Sequence, residues 1–219
     1  MEPSGALSKE GLEANSLKDM VGPCGLKPQT STVSLAFLRN HREAIAAMDF
    51  FTVPTIPFRV LYCSFIIAHN RRRILHLNVA KHPTSRWVVQ QIREAFPFES
   101  APRFLIFDRD SKFGVEVPAI VRSLTIVSIR TSFGSPWQNG AAERWIQSCR
   151  RDLLDHIIAV NDRHLRQLLS EYVRYYHEDP THLSLGKGPP GRRTQTVAPG
   201  RILSHERLGG LRHRYDRAA

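Results

Sequence analysis

Residues 44–53, AIAAMDFFTV, form an apolar run that ends in aromatic and β-branched side chains and is broken by one charge, Asp49. Such a run reads as a buried strand. A carboxylate in the middle of it needs a reason. Downstream, residues 58–68 (FRVLYCSFIIA) make a second strand, HNRRR supplies a turn, and residues 74–79 alternate as a third strand. Three strands joined by short turns predict an antiparallel meander. Thr84 is then placed to cap a helix in which Trp87, Val88, Gln91, Ile92, Ala95 and Phe96 follow helical spacing until Pro97 ends the run. Next come a compact strand, residues 103–107 (RFLIF), ending at Asp108, then a short helix near residues 117–123 and a strand over residues 124–129. That rhythm of strand, helix and strand predicts a parallel pair. After the loop signals Ser132, Gly134, Ser135 and Pro136, a long helix is expected over residues 139–159 and a last one over residues 163–176, opened by Asn161 and Asp162. The expected fold class is α/β: a five-stranded mixed sheet, three strands antiparallel and then two parallel, flanked by helices.

Working outward, residues 1–33 are rich in Gly, Ser, Pro and Lys without periodicity and read as a flexible leader. Residues 35–39 form a short amphipathic piece. The main domain is expected over residues 35–180, and residues 181–219 read as an irregular basic tail with at most a short strand. The apolar stretch near residues 60–68 is too short to span a bilayer, and the chain start lacks a basic segment followed by an apolar one. The expectation is a soluble protein of the cytoplasm. Cys24, Cys63 and Cys149 are odd in number and far apart, which favours ordinary reduced thiols over a disulfide framework or a cysteine zinc site. A formal charge of +11 and a pI near 10.2, with arginine prevailing over lysine, point to a polyanionic partner, nucleic acid first.

Asp49 lies within the first strand, Asp108 at the end of the fourth, and Glu143 early in the long helix, 35 positions after Asp108. If the first and fourth strands are neighbours, the three acids meet at one edge of the sheet, where α/β folds place their sites. Three carboxylates so close resist ionising together unless cations neutralise them. Hard divalent ions with oxygen ligands, Mg²⁺ or Mn²⁺, suit such a set. Two ions roughly 3.5–4 Å apart would activate a water or 3′-hydroxyl and stabilise the leaving oxygen of an in-line displacement at phosphorus. Taken singly, Asp49 is explained as an edge residue, Asp108 as a turn former and Glu143 as a first-turn acid favoured by the helix dipole. Their joint placement on strand, strand and helix favours the metal-binding reading.

Four segments in order, MDFFTVPT, FDRDSKFG, SPWQNGAAERWIQSCRRDLLDH and YHEDPTHLSLGKGPP, resemble the retroviral-type integrase core of insertion-sequence transposases, within the ribonuclease H-like superfamily. The resemblance covers about residues 35–190. It implies a ribonuclease H-like fold and a metal-dependent DNA transposase or integrase, with Asp49, Asp108 and Glu143 as catalytic and metal-binding acids. In FDRDSKFG the family's Asp falls on Asp108 and its Gly on Asp110, which makes Asp110 the lesser candidate. The family's basic residue two helical turns after its Glu falls on Arg150, which returns to nearly the same helix face and is a candidate phosphate contact. Asn139 and Gly140 would allow close backbone approach of DNA near a helix N-terminus. Trp137 is a candidate to stack on a splayed base.

His177 and His182 flank a loop after the last helix, and His177 departs from the Asn common there. The leader is too short and irregular for the helix-turn-helix that related transposases place upstream, and no His/Cys zinc module stands in its place. The resemblance therefore implies DNA as partner, homo-oligomers joining two element ends, a separate helix-turn-helix protein for sequence reading, and a nucleoid-associated bacterial setting. Two rivals follow. One is a truncated, non-catalytic DNA-binding remnant of a mobile element; the other is a ribonuclease H or other nuclease using the same metals.

Overall fold

A computed structural model describes residues 34–97, 100–132, 136–179, 188–191 and 201–217. The expected leader (residues 1–33), Cys24 and His182 lie outside the described residues. Helix α1 (Leu35–Asn40) is capped by Ser34, whose hydroxyl accepts from Phe37 N–H at 3.1 Å, and it buries Phe37. Strands β1 (Ile45–Pro54), β2 (Val60–Ala68) and β3 (Ile74–Ala80) follow, then α2 (Ser85–Ala95), β4 (Phe104–Phe107), α3 (Glu116–Ser123), β5 (Val127–Arg130), α4 (Gly140–Asp152) and α5 (Asp162–Glu178). The five strands form one sheet in the order β3-β2-β1-β4-β5. β1 pairs antiparallel with β2 and β2 with β3, whereas β1 with β4 and β4 with β5 are parallel. The mixed five-stranded sheet is as expected.

Alternation along β1 divides the core into two layers. Ile45, Ala47, Phe51 and Val53 pack with Trp145 and Cys149 of α4 and with Leu165, Leu169 and Tyr172 of α5. Ala46 and Met48 pack with Val88 and Ile92 of α2 and with Val117 and Val121 of α3. The caps named from sequence are present: Thr84 Oγ1 accepts from Trp87 N–H at 3.2 Å, and Asn161 Oδ1 accepts from His164 N–H at 2.8 Å. Cys63 and Cys149 are free and buried. Among the described residues, no helix is long and apolar enough to cross a membrane.

Three expectations are corrected. The helix expected over residues 139–159 stops at Asp152; Leu153 leaves helical geometry (φ −136°, ψ −62°), a turn of 3₁₀ helix covers Leu154–His156, and Ile157 is extended. The β-branched Ile157, Ile158 and Val160 disfavour helix, and Ala159 instead bridges in parallel to Thr55, its carbonyl accepting from Ile56 N–H at 3.0 Å. In the stretch read as an irregular tail, β6 (Ile202–Arg207) and β7 (Arg212–Arg217) form an antiparallel hairpin. Gly209 and Gly210, at φ +64° and +90°, make its turn. Arg207 and Arg212 tie the hairpin down, donating to Asp179 at 2.8 Å and to Asp152 at 2.7 Å. Finally, the strand expected from residue 124 begins at Val127 because Thr125 turns the chain at φ +58°.

Candidate metal-binding active site

The parallel register of β1 and β4 pairs Ile45 with Phe104 and Ala47 with Ile106. Carried two residues further along both strands, it sets Asp49 beside Asp108. Both also share the parity of Ile45 and Phe104, so they face the layer that α4 covers. The N-terminal turn of α4 then comes down over Asp49: Asn139, almost fully buried, donates its carboxamide N–H to Asp49 Oδ2 at 3.1 Å. The other oxygen, Oδ1, accepts from Phe50 N–H at 2.7 Å. Glu143 lies half-buried in the first turn of the same helix, where the dipole favours an acid.

Helix α4 is held at this height by its aromatic face. Trp145 is buried against Phe65 (ring centroids 4.3 Å apart) and Phe51 (5.9 Å), with Tyr172 of α5 behind it at 6.0 Å. Two turns after Glu143, Arg150 donates to the carbonyl of Thr52 at 3.3 Å, which fastens the far end of α4 to β1. Trp137 remains 46% exposed at the helix start, and Gly140 has no protein atom within 4 Å of where a Cβ would stand.

Asp108 Oδ1 accepts from Asp110 N–H at 3.0 Å. Asp110 itself turns away to cap the 3₁₀ turn Ser111–Phe113: it accepts from Lys112 N–H at 2.9 Å and pairs with the Lys112 ammonium at 2.6 Å. Lys112 also lies over the rings of Phe50 (5.7 Å) and Tyr62 (5.3 Å), a cation held between two aromatic faces. Neither the Asp110–Lys112 clamp nor the Asn139 carboxamide bond was read from sequence. The signal for the first was present in the close Asp-x-Lys spacing; the second depends on a contact across 90 positions.

The electrostatics show crowded acids. Burial pushes Asp49 up to about 7, against its peptide N–H bond, and Asp108, Glu143 and Asp110 each push it further the same way. Asp108 is also raised, first by burial and further by the Asp110 charge, with the Asp110 N–H bond and Lys112 opposing. Asp110 is lowered by its bonds to Lys112 despite partial burial. Among the described residues, no three His, Cys, Asp or Glu groups stand close enough to chelate an ion. Two observations nonetheless fit a cation: Asp108, Glu143 and Asp110 all act on Asp49 to raise it, and Asn139 Oδ1 is buried without a hydrogen-bond partner among the described residues.

His177, uninterpreted in sequence, has a structural role. Its Nε2 accepts from Ile74 N–H at 2.9 Å at the start of β3, and burial with nearby Arg73 lowers it to about 4, which keeps it a neutral acceptor.

The sheet order, with Asp49 midway along the central strand β1, Asp108 just past the end of its parallel neighbour β4 and α4 packed over β1, defines a ribonuclease H-like fold of the integrase-core kind. Residues 125–190, which include Asn139, Glu143 and Arg150 but neither Asp49 nor Asp108, match the integrase core domain family. A chain of the simian T-cell lymphotropic virus intasome is similar at 14% identity and TM-score 0.57, over 79% of this chain and 66% of that one. The HTLV-2 integrase catalytic core domain in complex with magnesium is similar at 11% identity and TM-score 0.54, over 68% and 95%. The catalytic core domain of BIV integrase is similar at 14% identity and TM-score 0.51, over 68% and 91%. No curated protein matches the chain. The fold is that of ribonuclease H-like integrase catalytic cores, and the match to the integrase core domain family covers residues 125–190.

Proposed function

We propose that this chain is a DNA transposase or integrase that cuts the ends of a mobile element and joins them to target DNA, with Asp49, Asp108 and Glu143 as catalytic acids. The observation that supports this reading is the β1–β4 register, which extended two residues past Ala47 and Ile106 leads to Asp49 and Asp108, with the helix bearing Glu143 packed over β1. The three acids would hold two Mg²⁺ or Mn²⁺ ions, which when bound supply Lewis-acid activation of the attacking hydroxyl and charge neutralisation at the phosphate. The remaining roles belong to the chain itself. Phe50 N–H and Asn139 orient the two oxygens of Asp49, and Asp110 N–H orients one oxygen of Asp108. Lys112 neutralises Asp110, so that this fourth acid adds less repulsion to the set. Arg150 and Trp137 are the candidate contacts to DNA phosphate and base. Because two element ends must be joined in one complex, the working form is a homo-oligomer on DNA; the HTLV-2 core has been solved in dimeric and trimeric forms. A separate helix-turn-helix protein would read the element ends, and the setting would be the bacterial nucleoid.

The test is a strand-transfer assay in Mg²⁺ or Mn²⁺ with labelled element ends, comparing wild type with Glu143→Gln. Joining by the wild type alone is the expected result. Robust joining by Glu143→Gln removes the assignment. A second reading, a non-catalytic DNA-binding remnant, draws on the fact that both oxygens of Asp49 are taken by protein donors. Binding of element ends without joining by either protein would select it.

A further inference from the structure

The turn from β1 to β2 combines two unfavourable choices at one residue. Phe58 has φ +55° and its side chain is 94% exposed. An aromatic residue in the left-handed region is strained, and its exposure adds nothing to the core; a glycine or asparagine would serve the turn better. The strain is held by Thr55, buried beneath the turn. Its carbonyl accepts from Phe58 N–H at 2.9 Å, while its N–H and hydroxyl both donate to the Arg59 carbonyl at 2.9 Å.

Beside this tip opens a cleft of about 430 Å³ lined by Arg59, Val60, Tyr62, Lys81 and His82. Lys81 pairs with Asp162 at 3.7 Å; among the described residues Arg59 and His82 have no ion-pair partner. Tyr62, which lines the cleft, also carries on its ring the Lys112 ammonium that pairs with Asp110. A second copy of this chain is a poor occupant: each carries a formal charge of +11, and the rim is cationic. Phosphates match the cations, and an unstacked base matches the exposed Phe58 ring.

We infer that this end of the sheet binds a single-stranded or splayed DNA end, stacking a base on Phe58 and taking its phosphates on Arg59, Lys81 and His82. The inference rests on the proposed action on DNA and extends it to a strand-holding surface apart from the three acids. A duplex flank gains little here, since its bases are already stacked.

Binding of the full chain to labelled DNA in EDTA tests it without any chemistry. A duplex with a single-stranded overhang is compared with the blunt duplex, using wild type, Phe58→Gly, Phe58→Trp and the double variant Arg59→Ala/His82→Ala. Phe58→Gly relieves the backbone strain, so its Tm should hold or rise while overhang affinity falls about tenfold and blunt-duplex affinity stays. Phe58→Trp should restore the overhang preference. The double variant should reduce the salt slope of overhang binding by about 0.7, the share of the Arg59 cation. Overhang affinity unchanged in Phe58→Gly, or loss of self-association in its place, overturns the inference. Binding in EDTA needs neither metal nor joining, so failure of the acid assignment, read in strand transfer, and failure of the cleft, read here, are separate outcomes.

Discussion

The two layers of the core lie on either side of one sheet, yet they are built for different work. The layer under α4 and α5 is aromatic, with Phe51, Phe65, Trp145, Tyr172 and Tyr176 in ring contact, and the same parity of β1 that supplies Phe51 also supplies Asp49. The layer under α2 and α3 sets aliphatic side chains, Met48, Val88, Ile92, Val117 and Val121, beside a smaller group of rings, Phe96, Phe107 and Phe113. Its buried polar group, Gln91, is satisfied by His76 and Asn78 at 2.9 and 2.8 Å. Stiff rings fix the height of a helix better than aliphatic chains that can repack. The comparison teaches that the Trp145 ring group sets the height of α4 over β1, whereas in the second layer Phe107 and Phe113 back the Asp108–Lys112 turn and the aliphatic contacts of α2 and α3 serve stability.

Substitutions should separate the two roles. The largest effect is expected for Glu143→Gln or Asp49→Asn in the strand-transfer assay: loss of several kcal/mol of transition-state stabilisation, about a thousandfold or more, with the fold retained by circular dichroism. Trp145→Ala should cost about 3–5 kcal/mol in urea unfolding and, unlike a purely structural lesion, lower transfer more than the unfolded fraction explains. A proportional loss would reduce Trp145 to a packing residue.

The pH dependence sharpens the same contrast. Asp49 is raised from 3.8 to about 7, so the metal-free folded chain holds this proton more tightly than the unfolded chain does. Its stabilising contribution is full below 3.8 and is lost as pH rises through about 7. The Tm of the metal-free protein should therefore fall across that window, Asp49→Asn should flatten the fall, and Mg²⁺ or Mn²⁺ should recover stability above it by binding the folded form. An Asp49→Asn protein with an unchanged profile would show that other groups carry the dependence.

Smaller effects complete the series. Ile92→Val, in the second layer, should cost about 0.5–1.5 kcal/mol and leave transfer by the folded protein untouched. Arg150→Ala, which removes an exposed bond to the Thr52 carbonyl, should change stability by less than about 1 kcal/mol and instead weaken DNA binding at low salt.

Where elements announce themselves locally, the sequence reading holds. The AIAAMDFFTV strand, the Thr84 and Asn161 caps, the stop at Pro97 and the RFLIF strand are patterns of neighbouring residues, and each appears within a few positions of its expected place. It fails where a distant partner wins. Residues 153–159 have enough apolar character to prolong a helix, but Thr55 offers Ala159 a bridge instead. The hairpin at residues 202–217 is held by Asp152 and Asp179, acids that no local window connects to it.

The site divides along the same line. Asp49, Asp108 and Glu143 stood out in sequence because a charge inside or just after an apolar strand, or at a helix start, is visible from its immediate neighbours. That two of them lie side by side depends on the pairing of β1 with β4, which brings together segments 59 positions apart. Tertiary structure alone decided the Asn139 grip on Asp49, the ring-stacked height of α4 and the cationic cleft behind the strained Phe58. Hydrogen-bond partners, ring contacts and shared burial are properties of space, and the chain specifies them only once the whole sheet has closed.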